Sequence, residues 1–264
     1  MKNLIIPAVN GIQKTQISLN TKKWWFSLSL LFYPIGIIKI WRVKGWLAAK
    51  LVYSIFGFVF FLVVSGYLSI VLFASFLATL DRTVGIRSDK TVYNAEGNYS
   101  ATFLKSGNET NGAYELVQVE LEPYGGNDWH YHKSFREEFT VLEGQVKIGK
   151  NGQEILLNKG EAAAANPEDM HFFKNATDKK AELLVKTVPA SGLEKTIRVA
   201  YGLINDGKLK NDMTENPWHM ALLLAYSESY LEGLPGWFQE PLINALAKIA
   251  QWRGEDRELY KYFK

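Results

Sequence analysis

The chain has 264 residues, 47% of them hydrophobic, with 30 basic and 27 acidic side chains, a formal net charge of +3 and no cysteine. The charge is unevenly placed: residues 1–80 hold no Asp or Glu and eight basic residues (Lys2, Lys14, Lys22, Lys23, Lys39, Arg42, Lys44, Lys50), which leaves 22 basic and 27 acidic residues, a net of −5, in 81–264. A basic segment joined to an acidic remainder fits contact with nucleic acid or with a membrane, and the apolar sequence between the basic residues decides for the membrane.

The first apolar stretch, 24–38, runs uncharged from Trp24 to Ile38 but contains Pro34 and Gly36. It is shorter than a usual span, and reads equally as a short span or as a re-entrant or interfacial element. Trp24, Trp25, Trp41 and Trp46 flank it, as aromatics do at headgroup level. The paired-Trp start, the Pro-Gly break and the basic Trp-bearing loop resemble N-terminal segments of small bacterial membrane proteins. The second stretch, 51–80, is uncharged between Lys50 and Asp81. As a transmembrane helix it would be roughly 45 Å long, enough to cross the ~30 Å hydrocarbon core with tilt. The loop 39–50 carries Lys39, Arg42, Lys44 and Lys50 and no acid, so the positive-inside rule puts it in the cytoplasm and everything after residue 80 outside. The absence of cysteine agrees with that placement. Residues 1–83 are therefore read as the anchor of an integral membrane protein whose C-terminal part is extracytoplasmic.

From about 90 to 188 the pattern is that of short strands. Glu115–Glu122 alternates with Val117, Val119 and Leu121 on one face, and Pro123–Asn127 is a turn cluster. Residues 138–149 hold Phe139, Val141, Val146 and Ile148, interrupted at Gly144 where a bend is cheap. Asn151-Gly152 favours a type I′ hairpin. Residues 155–157, 162–165 and 181–188 complete a set that argues for a sandwich or barrel. After about 200 the pattern becomes helical: Asn216-Pro217 supplies an N-cap and a first-turn proline, Pro241 is expected to open a second helix, and Gly254 to stop it. Segment 234–253, with Trp237, Phe238 and Trp252, reads either as lying on a bilayer surface or as packing on the β-domain.

The residues that carry chemistry are His130, His132, Glu137 and His171. In a strand, His-x-His projects both imidazoles from one face. Three imidazoles and a carboxylate form a donor set suited to Fe, Mn, Co, Ni, Cu or Zn. His130, His132, Glu137 and Gly144, then Gly160, Pro167, His171 and Asn175, resemble the two motifs of the cupin superfamily. Only Glu137, not the adjacent Glu138, leaves six residues before Gly144. Two positions depart from the motifs: Tyr124 stands where the leading glycine would fall, and Glu168 where a glycine precedes the second-motif histidine.

The resemblance implies an all-β domain, a jelly-roll (double-stranded β-helix) barrel over 84–200, with an N-terminal transmembrane helix and a short helical extension over 201–264. His130, His132 and Glu137 are expected from one sheet region and His171 from a strand facing it. Four protein ligands on a six-coordinate ion leave two positions for water, dioxygen or a chelating substrate. Two functions stay open: a metal-dependent dioxygenase-like oxygenase, in which Glu137 is a candidate base, and a non-catalytic ligand-binding or sensory module at the membrane. The partners expected are a small-molecule ligand or substrate, membrane lipid and a second copy of the chain in a homodimer, with no nucleic acid. His219 lacks an acid or histidine cluster and reads as an interface or capping residue. Phe135, Phe139, Phe172 and Phe173 read as core rather than pocket lining.

Overall fold

The computed structural model describes residues 33–264 apart from Val43 and Asp212, so Trp24, Trp25 and most of the stretch 24–38 lie outside the described residues. The chain divides into two units, Met1–Ile70 and Val71–Lys264. In the first, helix α1 (Tyr33–Arg42) and most of helix α2 (Leu47–Ser75) fold back on each other. The Tyr33 ring meets Phe58 and Phe61 at centroid distances of 5.6 and 5.8 Å, and Trp41 Nε1 donates to Ser54 Oγ at 3.1 Å. The α1 range overlaps the expected basic loop, because nothing between Tyr33 and Arg42 after the first-turn Pro34 breaks a helix. Helix α2 starts before the expected residue 51, since Ala48, Ala49 and Lys50 are good helix formers. It ends before 80, where the Phe76 and Leu77 amides fall back three residues onto Phe73 and Ala74. It is the one described helix long and apolar enough to cross a membrane.

In the second unit, thirteen strands follow in order: β1 (Thr91–Asn94), β2 (Tyr99–Lys105), β3 (Glu115–Leu121), β4 (His130–His132), β5 (Arg136–Glu143), β6 (Gln145–Lys150), β7 (Gln153–Asn158), β8 (Ala162–Ala165), β9 (His171–Lys174), β10 (Ala181–Val188), β11 (Leu209–Lys210), β12 (Met213–Thr214) and β13 (Ser229–Leu231). They form a six-stranded sheet, β1-β2-β3-β10-β5-β8, a five-stranded sheet, β13-β4-β9-β6-β7, and the β11-β12 pair, all antiparallel. Period-2 alternation packs Phe103, Val117, Val119, Leu121, Phe139, Val141, Val146, Ile148, Leu183 and Val185 into the core. Gly144, at φ 74°, passes the chain from the first sheet to the second, and a Cβ there would lie 2.9 Å from the Lys180 carbonyl. Each strand pairs only within its own sheet, so the two sheets do not close into the expected barrel.

The all-β expectation is corrected: about 38% of the described residues are helical and 28% lie in strands. Besides α1 and α2, the helices are α3 (Leu193–Asn205), α4 (Pro217–Tyr226), α5 (Gly236–Arg253) and the short α6 (Tyr260–Phe263). Helix α3 is amphipathic on two sides. Leu193, Ile197, Ala200 and Ile204 recur at helical spacing against the sheet core, while Val199 and Leu203 enter a second core with Leu222, Ala247, Ala250, Leu259 and Phe263. Its first turn is capped from afar, as Glu115 on β3 accepts the Ser191, Leu193 and Glu194 amides. Asn216 caps α4 by accepting the Trp218 amide at 3.0 Å, as the sequence suggests. Helix α5, by contrast, begins five residues before Pro241. Its first turn is secured by Gln239, which bonds the Leu231 amide and the Leu231 and Leu234 carbonyls, so one ladder bond lost at Pro241 is tolerated.

Tyr124 and Glu168 stand where the resembled motifs carry glycine, and both adopt left-handed backbone, φ 63° and 70°. A side chain there costs roughly 1–2 kcal/mol against a conformation glycine takes freely. Tyr124 is 64% exposed, so little packing is lost on its removal. Tyr124→Gly is expected to stabilise the full chain by up to about 1 kcal/mol, read as a higher denaturant midpoint in detergent solution; an unchanged or lower midpoint would refute the strain.

Candidate metal centre

The four residues singled out in the sequence come together. One ligand atom from each of His130, His132, Glu137 and His171 lies within 4.8 Å of the others, close to the spread of donors around a first-row ion with bonds of about 2.0–2.2 Å. Their placement in the sheets differs from expectation. His130 and His132 on β4 and His171 on β9 belong to the same five-stranded sheet, with His130 directly paired to His171. Glu137 faces them from β5 of the other sheet. The chain crosses between sheets at Ser134-Phe135, within the four residues that separate His132 from Glu137.

Alternation along β5 distinguishes the two glutamates. Glu137 shares the buried face with Phe139 and Val141, whereas Glu138 turns outward to Arg136 at 3.5 Å and Lys186 at 3.7 Å. The same alternation on β4 sends Tyr131 away from the cluster, its hydroxyl donating to Glu240 and its ring against Tyr230. Phe135 stacks on His132 with ring centroids 4.2 Å apart. Phe139 and Phe173 belong to the sheet core, and Phe172 lies over Gly149, where any Cβ would collide with its ring. His219 stands apart from the cluster, buried beside its own helix cap at Asn216.

Each imidazole is oriented by a backbone carbonyl. His130 Nδ1 lies 2.8 Å from Asp128 O, His171 Nδ1 2.8 Å from Asp169 O, and His132 Nδ1 3.0 Å from Ser227 O. A carbonyl oxygen only accepts, so each Nδ1 carries the proton and each Nε2 of a neutral ring is left as a donor pair for a metal. His132 Nε2 is buried with no hydrogen-bond partner and lies 3.6 Å from Glu137 Oε2. His171 Nε2 contacts Glu137 Oε2 at 2.8 Å; with Nδ1 already donating, this contact needs a shared proton, which a cation would displace.

The electrostatics agree with a cation site. Burial and the neighbouring His171 and His132 rings bring the His130 pKa down to about 3, so the ring is neutral near pH 7. Burial alone would raise Glu137, but His132 and His171 hold its carboxyl well below the usual range. Burial opposes the charged form of His171, and Glu137 outweighs it and raises that imidazole. The buried carboxylate is balanced only by the proton it shares with His171, while His132 Nε2 beside it has no hydrogen-bond partner, and the donor set fits a divalent transition ion. Sequence reasoning missed Asp128 O, Ser227 O and Asp169 O, since a backbone carbonyl leaves no trace in residue identity.

Outer partners of metal ligands are worth about 10- to 100-fold in affinity, so a ligand itself is worth more. Glu137→Gln is expected to weaken binding of a divalent transition ion by at least about 100-fold, and Glu138→Gln to leave it within about twofold. Co2+ titration followed by visible absorption reads both; equal losses would refute the assignment of Glu137.

The family profile of the cupin domain matches residues 117–186, a range that contains all four residues of the cluster. No curated protein matches the chain. Similar solved structures include a "predicted oxalate decarboxylase" from Thermotoga maritima, 20% identical over 44% of this chain and 96% of that one, with a TM-score of 0.34. An RmlC-like cupin from Shewanella frigidimarina is 16% identical over 43% of this chain and 96% of that one, TM-score 0.34. A cupin-superfamily sugar phosphate isomerase from Silicibacter pomeroyi is 25% identical over 43% and 77%, TM-score 0.33. Residues 117–186 thus carry a cupin domain, built of two antiparallel sheets with both motifs in place.

Proposed function

We propose that this protein is a membrane-anchored cupin that holds a divalent transition metal through His130, His132, Glu137 and His171, and binds a small polar or aromatic molecule at the coordination positions left open. The observation that supports it best is the buried, unpartnered His132 Nε2, aimed with two similarly oriented imidazoles at one carboxylate. When bound, the ion would supply Lewis acidity or oxygen activation. The protein's own groups orient and shield: the three carbonyls fix the rings, and Phe135 covers His132. His130 is the least buried of the four ligands, which puts the approach for a ligand on its side.

The strongest charges acting on His130, Glu137 and His171 come from the cluster itself and from Asp169, whose carboxylate is engaged by Asn151 and Lys150. A binding or sensory module needs no acid or base beyond these groups. The aromatic surroundings of the site favour the second reading, an oxygenase in which Glu137 serves as base.

Elemental analysis of the purified full chain is expected to find about one transition-metal ion per chain, lost in His130→Ala/His132→Ala; equal, negligible metal in both would sink the metalloprotein reading. Oxygen uptake with candidate phenols would select the oxygenase, and a ligand-induced change in the Co2+ spectrum without uptake the binding module.

Helix α2 supports the anchor. It is apolar on every side, with Leu51, Val52, Ile55, Phe56, Val59, Leu62, Val63, Leu72 and Phe73 exposed, a surface suited to hydrocarbon. The acid-free loop before it favours an outward cupin domain. As the chain has no cysteine, Gln153→Cys on exposed strand β7 gives a single label site. A membrane-impermeant maleimide is expected to label it in intact cells; labelling only after lysis would reverse the orientation.

A further inference from the structure

The segment after helix α2 is strapped along the C-terminal extension. The Asp81 amide donates to Gln251 Oε1 at 2.9 Å, and Lys195 Nζ to the Asp81 carbonyl at 2.6 Å. The Gly85 amide reaches Phe263 O at 2.8 Å, and Arg87 reaches Lys264 O at 2.9 Å. Arg82 makes the contact closest to the metal ligands. Its Nη2 donates to Ala225 O at 3.2 Å and to Glu228 Oε1 at 2.7 Å. Between those two partners sits Ser227, fully buried, whose carbonyl receives the His132 Nδ1 proton at 3.0 Å.

The same turn launches β13, which pairs with β4 in a register of Ser229 with His132 and Leu231 with His130. Ser229 Oγ stands 3.2 Å from His132 Nδ1 and 2.7 Å from Ser227 Oγ. Glu228 holds left-handed backbone, φ 48°, a conformation a side chain adopts at a cost of roughly 1–2 kcal/mol. The turn is therefore tight and held from outside, and Arg82 bonds both of its ends. All of it lies beyond residues 117–186, the span matched by the cupin profile.

We propose that Arg82 is a positioning residue for the metal centre: by clamping the turn Ala225–Glu228 it sets the Ser227 carbonyl that orients His132, and so links metal occupancy to the segment 79–87 that leaves helix α2. This role rests on the metal-binding reading above. An Arg–Glu pair of intermediate exposure (side chains 30% and 15% accessible) would by itself add little to stability. Its weight here comes from the carbonyl between its two anchors. Linkage makes the effect reciprocal: whatever the clamp adds to metal affinity, the metal returns as order in the strap.

The test uses the full chain in detergent, with Co2+ alone as probe, reading affinity by visible absorption and backbone order by amide hydrogen exchange. In the wild type, Co2+ is expected to slow exchange in 79–87 as well as in 225–231. In Arg82→Gln/Glu228→Gln, which leaves no buried unpaired charge, Co2+ affinity is expected to fall roughly 3- to 30-fold and the protection of 79–87 to disappear. Arg82→Lys should recover part of both, and reads the same two quantities if the double variant does not fold. Co2+ affinity within twofold of wild type in the folded variants would overturn the role, as would protection that stops at 225–231. A wild-type chain that binds no Co2+ fails at the first step and removes the metal reading together with the role, an outcome distinct from binding without coupling.

Discussion

Three hydrogen bonds from imidazole to backbone carbonyl are the constraint on which the site depends. With Asp128, Ser227 and Asp169 each taking an Nδ1 proton, all three rings are set in one tautomer and turned so that their free nitrogens meet Glu137. Without them the imidazoles would be free to rotate and to exchange proton positions, and the cluster would be a group of polar side chains in an apolar interior. Such a group is unfavourable to bury. The carbonyls therefore do in the folded chain what the imidazoles cannot do for themselves: they commit each ring to one free nitrogen.

Those carbonyls come from three different places. Asp128 precedes β4, Asp169 precedes β9, and Ser227 belongs to the helical extension, so the centre depends on the whole of the second unit. The two sheets bring Glu137 opposite the histidines, and the extension completes the outer side of β4. The helices pack as a second core of their own, with Leu222, Ala247 and Phe263 buried. The Ser227 carbonyl that orients His132 follows directly on the last turn of the buried helix α4.

Much of this was legible in the sequence where a local rule acts. The alternation of Val117, Val119 and Leu121, the Asn151-Gly152 turn with both residues at positive φ, and the bend at Gly144 are set by nearest neighbours, and they emerged where read. The gathering of His130, His132, Glu137 and His171 followed from paired spacings. Less legible were features decided at a distance. That His171 sits beside His130, with Glu137 across from both, depends on where the chain changes sheet. Helix α5 begins at Gly236, before Pro241, because Gln239 finds partners on β13, a strand too short to announce itself. Tyr124 and Glu168 looked like departures from the motifs, but the backbone keeps the left-handed turns and the side chains bear the strain.

Strand β13 has one more consequence. A three-residue strand such as β4, left at the margin of its sheet, would present unpaired amides and carbonyls beside a polar, ion-attracting cluster, a template for pairing with another chain. By lying along that margin, with Tyr230 buried and its hydroxyl bonded to Asn244, β13 pairs β4 and becomes the edge itself, its Leu231 amide and carbonyl taken in turn by Gln239. The extension thus supplies, through a side-chain amide on a helix, the backbone partners that a further strand would otherwise give.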